Sequence, residues 1–274
     1  MTKAGYAAFA RWLAELPPLT LYCLFANLRM LLRGRKVRIA PNEASGIMVV
    51  TDGQSAIHIC RRGRHLRYKR GIAAGIAGLA KDYHLHKLGG LSGGLFIDCG
   101  ANVGELGVWA RAQNMDYLAF EPEQQEALCC DLNNFEGAER TLRKALWKEN
   151  TTLSFYSKAD TADGSIFESE GSHRIDIAAV TLDAALTNRD LSRPIILKLE
   201  AEGAEPEVLL GAQGTLAMID WVSVDCGPEK GFAQDDTFLA CHDILLAHGF
   251  RLVDVGFRRV TALYHNTRNA NQAG

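Results

Sequence analysis

The chain has 274 residues, 47% of them hydrophobic and 23% charged, with a formal net charge of −2. That length suits one large domain or a domain with an appendage, and the composition is that of a soluble globular protein. Overall charge gives no pull toward nucleic acid or anionic membrane, and no nucleic-acid partner is expected. The seven cysteines, at 23, 60, 99, 129, 130, 226 and 241, include no zinc-type CxxC pair and are expected as buried free thiols in a reducing cytoplasm.

Residues 1–33 read as two helices broken at Pro17 and Pro18. The stretch "LTLYCLFANLRMLL" (19–32) is interrupted by Arg29. It is also shorter than the roughly 20 apolar residues a membrane span needs. It has no convincing signal-peptide pattern either, and a cytoplasmic protein is expected. With "RGRKVR" behind it, this helix allows a weak contact with a membrane surface, but packing on its own domain or on a partner, as in a homo-oligomer, is preferred. Residues 47–70 read as an antiparallel meander. "IMVV" and "AIHIC" flank the turn "TDGQS", and "HLRYK" is the expected third strand. Its basic residues, Arg61, Arg62, Arg64, Arg67, Lys69 and Arg70, suit a solvated strand edge. The meander is expected to form a module separate from the main sheet. "GIAAGIAGLAKDYHLHKL" (71–88) reads as a closely packed helix.

From residue 95 onward, apolar strands alternate with helices. Strands are expected at "LFIDC", "YLAFEP", "TLRKALW", "TTLSFYS", "IDIAAV", "PIILKLEAEG" and "WVSVDC", with a closing hairpin "FRLVDVG"/"RVTALYH". This pattern predicts an α/β domain with a mostly parallel sheet covered on both faces and one antiparallel strand near its end.

In such a sheet, ligands sit beyond the carboxyl ends of the strands. "LFIDCGANVGELG" (95–107) puts Asp98 at a strand end and glycines at 100, 104 and 107. A dinucleotide fingerprint needs GxGxxG, and Asn102 stands where its second glycine would be, which argues against an NAD-dependent oxidoreductase. An acid at the strand end suits a cation such as an amino group. Glu121, at the end of the second strand, suits the two hydroxyls of a ribose. A ribose without a diphosphate, next to an ammonium, describes S-adenosyl-L-methionine.

The segment from about 90 to 265 resembles the FkbM-type S-adenosylmethionine-dependent methyltransferases. The matching pieces are "FIDCGANVGELG", "AFEPE", "ALW", "VTLDAAL" and "LKLEAEGAEPEVLLGA". Glu200 stands where that family usually has an aspartate. The resemblance implies a Rossmann-like class I methyltransferase domain over 91–274, with a mostly parallel seven-stranded sheet and a C-terminal antiparallel strand. A small N-terminal appendage of helices and β-meander would occupy 1–90. It implies O-methylation of a glycan, polysaccharide or secondary metabolite. The expected cofactor-binding residues are Asp98, Gly100, Asn102, Gly104 and Glu121, with Pro122 and Leu146 from the matching pieces. The expected catalytic residues are Glu202 and Glu200, because a hydroxyl nucleophile benefits from a nearby carboxylate as it loses its proton.

No metal site is assigned, although Glu200, Glu202 and Asp225 could be imagined around a divalent cation. Asp163, Gly164, Ser165 and His173 are weaker candidates from a polar excursion, Lys198 is a candidate ion-pair partner, and Trp147 is a candidate cover for the adenine. A binding module that keeps the cofactor or glycan pocket without catalysis is the alternative outside enzymology.

Overall fold

The computed structural model describes residues 18–42, 44–157, 173–187, 189, 191, 193–231 and 233–270. The chain divides into two units, Met1–Ala77 and Gly78–Gly274. The dividing point falls inside a helix and before residue 90, because residues 79–91 share a core with the second unit: Leu79, Ala80, Tyr83, Leu85 and Leu91 cluster with Phe96, Leu106 and Ile196.

In the first unit, helix α1 (Leu19–Leu32) packs against a three-stranded antiparallel sheet of its own, in the order β1 (Arg38–Asn42), β2 (Ile47–Thr51), β3 (Ala56–Ile59). The β2–β3 hairpin is the expected one. The third strand is not: "HLRYK" lies in a 3-10 helix, Arg62–Tyr68, and the missing strand is supplied by "RIAPN" instead. The cause is spacing. His65 and Tyr68, three apart, are the buried pair, whereas a strand would bury alternate residues. His65 Nδ1 lies 3.0 Å from the Tyr22 hydroxyl. Pro41 sits in β1, a place proline tolerates because β1 is an edge. Asn27 of α1 covers that edge. Its side chain donates to Ile39 O and accepts from Ile39 N, both at 2.8 Å.

Asp52 closes the hairpin by accepting from Gln54 N and Ser55 N, and its second oxygen accepts from Ile72 N at 2.7 Å. That last bond caps the first turn of α2 (Ile72–Asp82) and is the main reason the carboxyl is held below its usual range. Asp52→Ala is expected to cost about 1–2 kcal/mol, as lost helix caps do. Urea unfolding would measure the loss.

The second unit is built on a six-stranded sheet in the order β11 (Phe250–Gly256), β12 (Thr261–Asn266), β10 (Trp221–Asp225), β9 (Ile195–Leu199), β4 (Leu95–Cys99), β5 (Asp116–Phe120). Strands β10, β9, β4 and β5 are parallel, and β12 runs antiparallel between β10 and β11. The expected antiparallel strand is therefore present, and among the described residues the sheet has six strands where seven were expected. The segment expected as a seventh touches β5 only through Leu142, which donates to Ala119 O and accepts from Glu121 N. The chain then turns at Arg143–Lys144, and β6 (Ala145–Leu146) pairs with β8 (His173–Val180). With β7 (Thr151–Ser157), these form a separate three-stranded sheet.

Helices α3 (Glu105–Ala112) and α4 (Gln124–Asn134) follow β4 and β5, and α5 (Leu182–Leu186) precedes β9. "PEVLLGAQGTL" forms two short helices, α6 (Glu205–Leu210) and α7 (Gln213–Leu216), and α8 (Phe238–Ala247) precedes the final hairpin. Buried Ile97, Leu197, Leu199, Val222 and Val224 of the central strands form one apolar core with Leu182, Val208, Leu209 and Leu245 of these helices. The seven cysteines carry no disulfide, and all but Cys60 are buried.

Candidate active site

The order of strands places β4 beside β9, with the later connections running outward on both sides. The crevice at the carboxyl ends of these two strands is the place where open α/β sheets bind ligands. Both turns that leave it are glycine-bearing, and each is held by a buried glutamate.

The first turn runs from Gly100 to Gly104. Gly100 has φ +70°, and a Cβ there would collide with the carbonyl oxygen of Glu200. Only glycine lets the β4 and β9 turns approach this closely, and the Glu200 amide donates to Cys99 O at 3.2 Å across the same gap. Gly104 has φ +78° and opens α3, where a Cβ would strike the Asn134 amide and the Cys130 sulfur. Asn133 and Asn134 of α4 donate to Val103 O and Gly104 O at 2.8 and 3.0 Å. Glu121, 6% exposed, fixes the turn from the end of β5: one oxygen accepts from Asn102 N at 2.8 Å, the other from Glu123 N at 2.9 Å. Burial outweighs those two bonds and pushes its carboxyl up to about 8. Asn102 itself has φ +50°. Pro122 is half-buried beside Glu121.

The second turn, Glu200 to Gly203, follows β9. Glu202 is half-buried, with φ +50°. Glu205, 1% exposed, clamps this turn as Glu121 clamps the first. Its Oε1 accepts from Ala201 N at 2.8 Å and Gly203 N at 3.2 Å, and its Oε2 accepts from the Thr237 hydroxyl at 2.9 Å. Sequence reasoning assigned Glu205 no role. Its signal was present in the piece "EGAEPE", but acids at a helix start are common enough to hide it.

Between the turns lies a chain of charges. Lys198 and Asp98 are register partners on β9 and β4, 2% and 1% exposed at their side chains. Lys198 Nζ donates to Cys99 O at 2.9 Å and Gly100 O at 2.7 Å. It also forms an ion pair with Asp98, 3.0 Å from its Oδ1. Asp98 Oδ2 accepts from the Tyr117 hydroxyl at 2.9 Å. Burial raises the Asp98 carboxyl above its usual range despite the cation. Asp98 is therefore committed to Lys198 and Tyr117 beneath the first turn.

Glu200 is flanked by Lys198, 3.3 Å from its Oε2, and by Arg259 from the β11–β12 hairpin, which donates to its Oε1 at 2.8 Å. These cations outweigh burial and hold the Glu200 carboxyl down to about 2. The same guanidinium donates to Asp225 Oδ2 at 2.6 Å, so an arginine bridges Glu200 and Asp225. Tyr83 lies under both cations, its ring centroid 5.3 Å from Lys198 Nζ and 5.8 Å from Arg259 Cζ. The Tyr83 hydroxyl is buried next to Glu200 without good hydrogen-bond geometry.

Glu229, past β10, completes the acidic rim. Burial and the nearby Asp225, Glu200 and Glu205 push its carboxyl up to about 7, and its Oε2 is buried without a hydrogen-bond partner. Neither Glu229 nor Arg259 carried a sequence signal.

The other expected residues fall elsewhere. Leu146 is 3% exposed and packs in the apolar core with Phe120 and Leu182. Trp147 is half-buried, and its carbonyl lies against Gly211. His173 begins β8. Asp163, Gly164 and Ser165 lie outside the described residues.

Among solved structures, one similar chain is the magnesium protoporphyrin IX methyltransferase (ChlM) of Synechocystis PCC 6803 with bound SAM. It is 13% identical, with 73% of this chain and 79% of that one covered and a TM-score of 0.38. No curated protein matches the sequence. Residues 98–252 match the methyltransferase FkbM domain. That span runs from Asp98 through both glycine turns and takes in more than half of the chain, so the protein belongs to the FkbM methyltransferase family.

Proposed function

We propose that the protein is an S-adenosyl-L-methionine-dependent O-methyltransferase that acts in the cytoplasm on a hydroxyl of a glycan, polysaccharide or secondary metabolite. One observation carries the cofactor reading. The Gly100–Gly104 turn lies at the β4–β9 switch point, its glycines let it pack closely on the β9 turn and on α4, and a carboxyl at the end of β5 fixes it through Asn102 N. This cradle fits a ribose and a short charged tail and has no second glycine for a pyrophosphate.

When bound, the cofactor supplies an electrophilic methyl on a sulfonium, so the protein's task is alignment, exclusion of water and management of one proton. Asn102 and Gly104 line the turn, Glu121 and Pro122 border the ribose end, and Leu146 supports that end from the core. Asp98 acts from beneath, holding Lys198 against the carbonyls of Cys99 and Gly100. Glu202 aligns the acceptor hydroxyl and takes its proton as the new O–C bond forms and the C–S bond breaks. Glu200, kept ionised by Lys198 and Arg259, is too weak a base for that step and fixes the rim on which Glu202 stands.

Glu121→Ala is expected to weaken S-adenosylmethionine binding by about 1.5–3 kcal/mol, the worth of hydrogen bonds to a carboxyl. Titration calorimetry on the variant, with its fold checked by circular dichroism, measures this. Unchanged affinity would remove the ribose assignment.

A further inference from the structure

Helix α1 carries apolar residues on two faces, yet only one of those faces is buried. Leu19, Tyr22, Cys23, Ala26 and Met30 are buried. Leu24, Leu28, Leu31 and Leu32 are 63%, 49%, 58% and 79% exposed. Spaced by four, three and one, these four leucines share a single face opposite the buried one. A helix with apolar residues on both faces needs a second cover, and a contiguous exposed apolar face marks an interaction surface.

The charge around this face says what covers it. No acid occurs between residues 18 and 42, and Arg33, Arg35, Lys36 and Arg38 are all exposed just past the end of the helix. The asymmetry extends to the whole unit. Residues 1–77 hold 13 Lys and Arg against 3 Asp and Glu, a net of +10, while residues 78–274 hold 17 against 29, a net of −12. The total of −2 conceals two oppositely charged halves.

We propose that α1 is an in-plane membrane anchor that docks the first unit on an anionic phospholipid surface. The exposed leucines enter the acyl boundary, and the cations after the helix meet the anionic headgroups. At 14 residues the helix is about 21 Å long, too short to cross a hydrocarbon core of about 30 Å. Among the described residues, no helix is long and apolar enough to cross a membrane. Nucleic acid would engage the cations but give the leucines nothing to bury against. A second copy would bring its own cationic segment to the same contact.

Flotation of the full chain with phosphatidylcholine vesicles, with and without phosphatidylglycerol, tests this. The wild type is expected to float with the anionic vesicles at least about tenfold more than with the neutral ones, and raised salt is expected to weaken it. Leu28→Glu/Leu32→Glu is expected to stay at the bottom of the gradient. Arg33→Glu/Lys36→Glu, which leaves the apolar face untouched, is expected to lose about tenfold in binding to anionic vesicles only, and reads the proposal independently if the leucine variant misfolds. A wild type that does not float with anionic vesicles, or charge-reversed and native chains that float alike, would overturn it. So would a dimer, seen by light scattering without lipid, that the leucine substitutions dissociate, because a second copy would then be the occupant.

Discussion

Glu202→Gln is expected to lower turnover by about 10²-fold or more with cofactor affinity little changed, the usual scale for removing a group that handles a proton in the transition state. Glutamine keeps the shape of the side chain and tolerates the same left-handed backbone at φ +50°. The turn itself is held by Glu205 through Ala201 N and Gly203 N, so the substitution leaves the clamp in place. Loss of rate and loss of fold are therefore separable here. Turnover is read with the acceptor supplied and stability by urea unfolding. A folded variant that turns over at the native rate would show that Glu202 serves only the turn.

Lys198→Met is expected to cost about 3–5 kcal/mol, the penalty for breaking a buried ion pair by removing one partner. Methionine fills similar volume but leaves the Cys99 and Gly100 carbonyls without their donor and Asp98 without its cation. The loss has a pH signature. Asp98 is already raised by burial, and the Lys198 charge is what limits that rise. Without Lys198 its folded pKa climbs further above the unfolded value, so the folded state is disfavoured increasingly as pH rises past that unfolded value. Urea unfolding at mildly acidic and at alkaline pH is expected to show the larger deficit at alkaline pH. A variant as stable as the native chain at both would mean that the pair contributes nothing to the fold.

The parts of this site legible in the sequence are those fixed by backbone sterics. Gly100 and Gly104 stand where a side chain would collide with Glu200 O or Asn134, and steric demands of that kind leave a spacing that can be read directly. Asp98, Glu121 and Glu200 were legible as strand-end acids. Their partners were not, because these depend on which loops the fold brings together. Arg259 reaches Glu200 from 59 residues away, across the closing hairpin. The near-neutral Glu229 depends on burial and on Asp225, Glu200 and Glu205, the last two from the turn after β9 and the helix start that follows it. The same holds for the fold. The parallel core announced itself as apolar runs. "HLRYK" imitated a strand until the burial of His65 and Tyr68 showed a period of three. The seventh strand was lost at Arg143–Lys144, where pairing with β8 replaces pairing with β5.

Titration calorimetry of the purified chain with S-adenosylmethionine, S-adenosylhomocysteine and NAD tests the central claim most directly. The Gly100–Gly104 cradle and the Glu121 carboxyl predict that the first two bind with dissociation constants on the order of micromolar, about −8 kcal/mol, and that NAD does not bind. Binding of NAD, with no heat from either sulfur ligand, would contradict it.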